Sequence, residues 1–185
     1  HFAAYTGARY AVAVSNCTTA LHLSMIMAGV GAGDEVICPS MSYIATANCI
    51  KYVGAKPVFA EVNPETYNLD ITDAEQKITS KTKAILLVHQ IGMPADIDAF
   101  QLLAAKYNLK LIEDAACAAG SSYKGKKIGS HSEIVCFSLH PRKVISTGDG
   151  GFVTTNREDY YQRLKLLRQH GMSVNDRVRH ESSKI

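Results

Sequence analysis

The feature that most constrains the fold is an alternation of short apolar, β-branched runs with longer segments of helical spacing. The short runs, bounded by Gly, Pro and Asp, have the length of buried strands: Glu35–Cys38, Pro57–Ala60, Ala84–Val88, Lys110–Ile112, Ile134–Phe137 and Phe152–Thr154. Helical spacing predicts helices between them: Thr18–Ala28, Ile44–Val53, Ala74–Ile78, Ile97–Tyr107 and Arg157–His170, the last capped by Asn156. This alternation predicts an α/β fold with a mainly parallel sheet flanked by helices, in which ligands bind at the carboxyl ends of strands.

Composition excludes several classes of function. The 185 residues, 46% of them hydrophobic, suit one globular domain or a large piece of one. The net charge of +3 is small and its basic residues are scattered, which argues against nucleic acid as a partner. No apolar run reaches the length of a membrane span. The five cysteines form no C-x-x-C pair, so we expect reduced thiols in a cytoplasmic protein and no metal site.

Both ends of the sequence predict a portion of a longer protein. The chain begins at His1 rather than at methionine, and Phe2–Tyr5 resembles the middle of a helix. The polar stretch from Asn175 to Ile185 is expected to close no element of structure. We therefore expect one partial domain over residues 1–175, and the start of a loop over 176–185 that leads to a further domain.

Two segments contain residues that could take part in catalysis or binding. The apolar run Leu111–Ile112 ends in the carboxylates of Glu113 and Asp114, and Lys143 follows a second run and precedes a glycine-rich stretch. Taken alone, Asp114 could be a helix N-cap or a solvated strand end. Lys143 alone could be an ordinary surface lysine.

In their order and context, these segments resemble the DegT/DnrJ/EryC1/StrS family of pyridoxal-phosphate (PLP) aminotransferases. The resemblance runs from Ala4 to Ser173 and rests on several motifs in the right order: Ser15–His22, Gly33–Ile37, Pro39–Asn48, Gly54–Phe59, His89–Asp96, Glu113–Ala116 and Phe137–Lys143. It implies the type I fold of PLP-dependent transferases, with residues 1–175 as the PLP-binding large domain and the small C-terminal domain outside this chain.

The resemblance also implies roles for individual residues. Lys143 stands at the position of the Schiff-base lysine, which holds the cofactor and later moves a proton. Asp114 stands at the position of the carboxylate that pairs with the pyridinium nitrogen. Tyr43 matches the aromatic residue that stacks on the pyridine face; the alternative is an ordinary core aromatic with a bonded hydroxyl.

Four more positions are implied to contact the cofactor. Cys17, through its amide, and Thr18 precede a predicted helix whose positive end suits a phosphate. Ser138 matches a serine that reaches the same phosphate, although a serine satisfied by its own backbone is the alternative. Cys117 stands where many relatives carry a glutamine that bonds near the phenolic oxygen of the cofactor. A cysteine is shorter and a weaker donor.

These matches imply an amino transfer from an amino acid, glutamate being the expected donor, to a keto group on a nucleotide-activated sugar. Ping-pong kinetics and a homodimer with shared sites are expected. One branch of the family, the sugar dehydratases, carries histidine at the lysine position, so Lys143 favours transamination. A catalytically silent sensor with the same fold stays open as an alternative.

The sequence argues against two other classes of function. Gly29–Gly33 resembles a dinucleotide-binding loop, but it follows a helix and precedes a strand, the reverse of the required order. It is better interpreted as a helix C-cap and turn. A serine hydrolase would need a G-x-S-x-G elbow, which the sequence lacks.

Overall fold

In the computed structural model, which describes residues 1–174 and 176–181, seven strands form one twisted sheet. The strands are β1 Tyr10–Val14, β2 Glu35–Pro39, β3 Lys56–Ala60, β4 Thr82–Val88, β5 Lys110–Asp114, β8 Ile134–Ser138 and β9 Gly151–Thr155, while β6 Ser122–Tyr123 and β7 Lys126–Lys127 form a separate small hairpin. The helices are α1 Phe2–Thr6, α2 Cys17–Met27, α3 Ala45–Tyr52, α4 Ile71–Gln76, α5 Ile97–Lys106, α6 Glu158–Leu167 and α7 Asp176–Glu181, with a 3-10 turn over Gln90–Gly92. The predicted α/β architecture is confirmed.

The sheet order is β1-β9-β8-β5-β4-β2-β3. Neighbouring strands from β8 through β3 run parallel, whereas β9 runs antiparallel to both β8 and β1. The carboxyl ends of β1, β2, β4, β5 and β8 therefore meet at one edge of the sheet, together with the first residue of β9. A single loop cluster can thus collect side chains from five distant parts of the sequence.

Apolar side chains cover both faces of the sheet, as expected for parallel strands. On one face, α2, α3 and α6 contribute residues such as Leu21, Ile50 and Leu164 to a buried cluster. On the other, α5 contributes Ile97 and Phe100. This double burial explains why β2, β4 and β8 contain nearly continuous apolar runs rather than alternating ones.

All predicted helices and strands exist, with ends moved by up to about three residues, as is usual for element boundaries. Sequence reasoning missed β1, an edge strand whose alternating Tyr10–Val14 pattern has only one fully buried position. The helical character of Phe2–Tyr5 is correct: α1 ends at Gly7, which takes the left-handed conformation with φ 75°. The interpretation of Gly29–Gly33 is also confirmed, because this turn joins α2 to β2 at the edge away from the clustered strand ends.

Two details of the sequence interpretation are wrong. Asn156 does not cap α6; its side chain accepts from the Arg9 N–H at 2.9 Å and donates to the Ser130 carbonyl at 3.2 Å, so it holds β1 to a distant loop. The stretch after Val174 was expected to close no element, yet Asp176–Glu181 forms α7. Asn175 and residues 182–185, which the same prediction covers, lie outside the described residues.

Within the described ranges, no helix combines the length and apolar character that a membrane crossing requires.

Candidate active site

A cavity of about 500 Å³ lies at the edge where the parallel strands end. Its walls come from the loops after β1, β2, β4, β5 and β8. Every site residue that the sequence predicted lines it: Cys17, Thr18, Tyr43, Asp114, Cys117, Ser138 and Lys143. The structure therefore brings together side chains that are up to 126 positions apart, from Cys17 to Lys143.

One end of the cavity is the N-terminus of α2. Cys17 and Thr18 were expected to precede this helix, but they form its first turn, and Asn16 is the N-cap. The Asn16 side chain accepts from the Thr19 N–H at 2.8 Å, so the amides of the first turn are ordered at the positive end of an 11-residue helix. Sequence reasoning missed Asn16, although an asparagine directly before a helical pattern is a usual cap signal.

Within this turn, the side chains of Cys17 and Thr18 are placed differently. The thiol of Cys17 is buried, and burial raises its pKa well above the ordinary value, so this residue offers its amide rather than a thiolate. Thr18 lines the cavity, whereas the hydroxyl of Thr19 is engaged by Asn16 and Ser15. Thr18 is therefore the residue of this turn whose hydroxyl is left available to a ligand in the cavity.

Gly151 packs directly against the first turn of α2. A Cβ at this glycine would lie 2.7 Å from the Asn16 carbonyl carbon and 2.9 Å from the Cys17 nitrogen, both rigid backbone atoms. We expect Gly151→Ala to lower the free energy of unfolding by about 1–3 kcal/mol, the range for overpacking, and to displace this turn. Urea unfolding checks the first effect, and phosphate-dependent stabilisation checks the second.

The matched control for this prediction is Gly31→Ala. An added Cβ there meets no atom within 4 Å, and Gly31 has no positive φ. It should change the free energy of unfolding by no more than about 0.5 kcal/mol. Equal stability of the two variants would contradict the packing argument.

Asp114 ends β5 in the floor of the cavity and is only 6% exposed. Both simple alternatives for it are wrong, since no helix follows it directly and it is not solvated. Burial raises the pKa of this carboxyl, and the Ala116 N–H, which donates to Oδ1 at 3.0 Å, and the Lys143 ammonium act in the opposite direction. A buried carboxylate without a full counter-charge is expensive, so the site is prepared to receive a positive partner.

The loop after β2 places an aromatic ring at the cavity. Tyr43 is 71% exposed, so the core-aromatic alternative is wrong. The loop is tied to the floor because Ser42 Oγ lies 2.7 Å from Thr46 Oγ1, and the Thr46 side chain helps to hold down the pKa of Asp114. The ring is thus available to stack on a planar ligand above the carboxylate.

Lys143 is half-buried and lines the cavity, unlike an ordinary surface lysine. Its backbone N–H closes a turn onto the His140 carbonyl at 2.9 Å. Its Nζ donates to Cys117 Sγ at 3.1 Å. Cys117 therefore stands beside the amine.

Ser138 ends β8 and is buried beneath the cavity. Its Oγ accepts a hydrogen bond from the His140 N–H at 3.3 Å. This is the kind of backbone contact that the alternative interpretation predicted. The same oxygen can still donate its hydroxyl hydrogen to a ligand. A role at a phosphate is therefore compatible with this contact.

Sequence reasoning also missed a fully buried pair, His89 and Glu113. His89 Nδ1 accepts from the Ala95 N–H at 3.1 Å, so the proton of the neutral ring is on Nε2, which donates to Glu113 Oε2 at 2.9 Å. The His89 backbone N–H donates to the Asp114 carbonyl at 3.0 Å. The pair fastens the ends of β4 and β5 together and fixes the backbone of Asp114.

These groups fit one kind of ligand. A helix N-terminus suits a phosphate, an exposed ring suits a flat heteroaromatic, a buried carboxylate suits a protonated ring nitrogen, and a lysine amine suits an aldehyde. PLP carries all four features. Among residues 1–174 and 176–181, no cluster of three or more His, Cys, Asp or Glu side chains is placed to hold a metal ion.

Known proteins resemble this chain in sequence and in fold. A GDP-perosamine synthase of Caulobacter vibrioides is 48% identical over 176 residues, which are 95% of this chain and 47% of that protein. DesV of S. venezuelae superposes with a TM-score of 0.92 at 41% identity, covering 95% of this chain and 47% of its own. Spr1654 of Streptococcus pneumoniae, solved in a PLP form, superposes with a TM-score of 0.88 at 32% identity, covering 92% and 49%.

The chain thus spans about half the length of the relatives it matches. The superpositions confirm the predicted fold, a mainly parallel sheet flanked by helices that is shared with PLP-dependent sugar aminotransferases. The model of the DegT/DnrJ/EryC1/StrS aminotransferase family matches residues 1–184, and the chain belongs to this family.

Proposed function

We propose that this chain forms the cofactor-binding half of a PLP-dependent aminotransferase that moves an amino group from an amino acid, L-glutamate, to a keto group on a nucleotide-activated sugar. The observation that carries the proposal is the meeting of three groups in one cavity: the Lys143 amine, the buried Asp114 carboxylate and the N-terminus of α2. Each group alone is common, but their combination suits one cofactor.

The residues divide the work by position. The first turn of α2, with Thr18 and the Ser138 hydroxyl, binds the phosphate. Asp114 holds a proton on the ring nitrogen, and Tyr43 covers the ring face. Lys143 would hold the cofactor covalently and, once released, would move a proton at the reacting carbon. PLP, when bound, supplies the electron sink for this chemistry.

The nature of the sugar is supported by the relatives. The name GDP-perosamine synthase describes a protein that makes a GDP-linked amino sugar, at 48% identity to this chain. We infer that the acceptor here is a nucleotide-linked keto-sugar of the same class. Donor and acceptor would use the single cavity in turn, which gives ping-pong kinetics.

We also infer a homodimer, because exposed apolar side chains line the cavity or lie next in sequence to residues that line it. Tyr43, Ile44, Ile91 and Val144 are 62–80% exposed. Ile91 also has φ 53°, a conformation that is unfavourable for a β-branched residue. Such a strained, apolar rim is typical of a surface that a second copy covers. The five unpaired cysteines further support a reducing, cytoplasmic location.

The test is to load the full-length protein with PLP, reduce it with borohydride and map the modified peptide by mass spectrometry. A phosphopyridoxyl group on Lys143 is expected. PLP that binds without attachment to Lys143 would contradict the role of this lysine, and no binding at all would contradict the function.

A second measurement separates catalysis from the two alternatives. Glutamate should convert the bound cofactor to pyridoxamine phosphate, which is followed by its absorbance. A sensor would bind the cofactor without this conversion. A dehydratase would convert the sugar without leaving an amine on it, and product analysis distinguishes that outcome.

A further inference from the structure

The contact between Lys143 and Cys117 pairs two nucleophiles that amino transfer does not require together. Their Nζ and Sγ atoms are 3.1 Å apart and joined by a hydrogen bond. The thiolate is the reactive form of cysteine, and the Lys143 amine is the direct neighbour of this sulfur. The sulfur therefore sits in an electropositive site that is open to small molecules from the cavity.

Both residues are held in place by their own turns. The carbonyl oxygen of Cys117 approaches Gly92 so closely that a Cβ there would lie 2.8 Å from it, and the Gly92 carbonyl accepts from Ser121 Oγ at 2.6 Å. The turn that carries Lys143 is closed on His140 at 2.9 Å. The contact thus joins two fixed loops, so the two atoms meet without a large rearrangement.

Cys117 differs from the other four cysteines of the chain. It is half-exposed, whereas Cys17, Cys38, Cys49 and Cys136 are buried. Burial raises the pKa of each of those four thiols, that of Cys38 to about 12, which keeps them protonated and unreactive. An oxidant should therefore select Cys117.

We propose that Cys117 and Lys143 form a reversible oxidative cross-link, a sulfenamide, when the protein meets a peroxide. Hydrogen peroxide oxidises the Cys117 thiol to a sulfenic acid and is reduced to water. The Lys143 ammonium then loses one proton to solvent and its free amine attacks the sulfur. An S–N bond forms, the S–O bond breaks, and the departing hydroxide takes a second proton from the nitrogen and leaves as water. A thiol reductant reverses the change: two thiols become a disulfide and restore the free thiol and amine.

The cross-link rests on the geometry alone, and its consequence rests on the proposed function. An amine bonded to sulfur cannot hold PLP, so oxidation would stop amino transfer without destroying the protein. Conversely, a Lys143 nitrogen already committed to PLP cannot attack the sulfenic acid. Bound PLP should therefore protect the pair.

The experiment treats the full-length, cofactor-free protein with hydrogen peroxide and maps its peptides by mass spectrometry. The expected product joins the Cys117 and Lys143 peptides with the loss of two hydrogen atoms from their summed mass. Dithiothreitol should separate them, and prior loading with PLP should suppress the product. After peroxide, borohydride labelling of Lys143 by PLP should fall in proportion to the cross-link.

Cys117→Ser and Lys143→Arg should each abolish the joined peptide, whereas Cys38→Ala, which removes a buried thiol, should not. Cys117 recovered as a sulfinic acid or as a disulfide, with Lys143 free, would overturn the proposal. So would oxidation of the buried cysteines as fast as Cys117. Because peptide mapping needs no activity, a failed cross-link and a failed aminotransferase assignment give different results.

Discussion

Replacing Lys143 by alanine is expected to slow amino transfer in the full-length protein by at least about 10³-fold, within the range that proton transfer by a positioned side chain contributes. Under the proposed function the same amine attaches the cofactor and moves the proton, so the loss should exceed that of any other single substitution. The half-buried side chain of Lys143 belongs to neither hydrophobic cluster of the core. The free energy of unfolding should therefore change by less than about 0.5 kcal/mol. Steady-state kinetics and urea unfolding measure the two effects.

Lys143→Arg separates covalent attachment from charge. Arginine keeps the positive charge beside Cys117 and Asp114 but forms no Schiff base at neutral pH. It should be as inactive as the alanine variant. Lys51→Ala, at an exposed position of α3, is the matched control and should keep full activity. Substantial turnover by Lys143→Arg would show that the amine acts only as a charge.

Asp114→Asn is expected to lower amino transfer by about 10²–10³-fold, the scale for losing one preorganised electrostatic contact in a buried site. Asparagine keeps the size of the side chain and can still accept from the Ala116 N–H. It cannot hold a proton on a ring nitrogen by charge. The measurement is the rate of amino transfer at saturating cofactor.

The same substitution should leave the cofactor-free protein as stable as before or more stable. Burial raises the pKa of Asp114 in the folded state, so its ionisation opposes folding once the pH exceeds the unfolded value of about 3.9. Asparagine removes this penalty at neutral pH, and the difference in melting temperature should shrink as the pH falls towards that value. Asp98→Asn, an exposed carboxylate on α5, is the control for charge removal. A large loss of stability in Asp114→Asn would mean that the carboxylate is structural.

The fold was largely predictable because its strands are buried on both faces, and continuous apolar runs are a strong signal. The edge strand β1 was missed since only one of its residues is fully buried, which leaves little pattern to detect. The helix α7 was missed because nothing in its polar sequence requires burial. The sequence alone could not show that the Asn156 side chain bonds to Arg9 and Ser130 instead of capping α6, because an asparagine suits either role.

The candidate site was predictable where motif and chemistry coincide, as at Lys143 and Asp114. It was not predictable where a role depends on a partner distant in sequence. His89 and Glu113 are 24 positions apart, and only the pairing of β4 with β5 brings them to 2.9 Å. The Lys143–Cys117 contact likewise depends on two turns whose meeting no local pattern reveals.

The pairing of β1 with β9 has a consequence for biosynthesis. Val14 lies opposite Gly151, so the first strand of the sheet has its hydrogen-bond partner 137 positions later. Translation proceeds from the N-terminus, so β1 has no strand to pair with until β9 has left the ribosome. The turn at Asn16 follows β1 and packs on Gly151, so the N-terminal end of α2 is completed only then. A nascent chain that stops before Gly151 already contains Asp114 and Lys143, but its candidate cofactor site is incomplete.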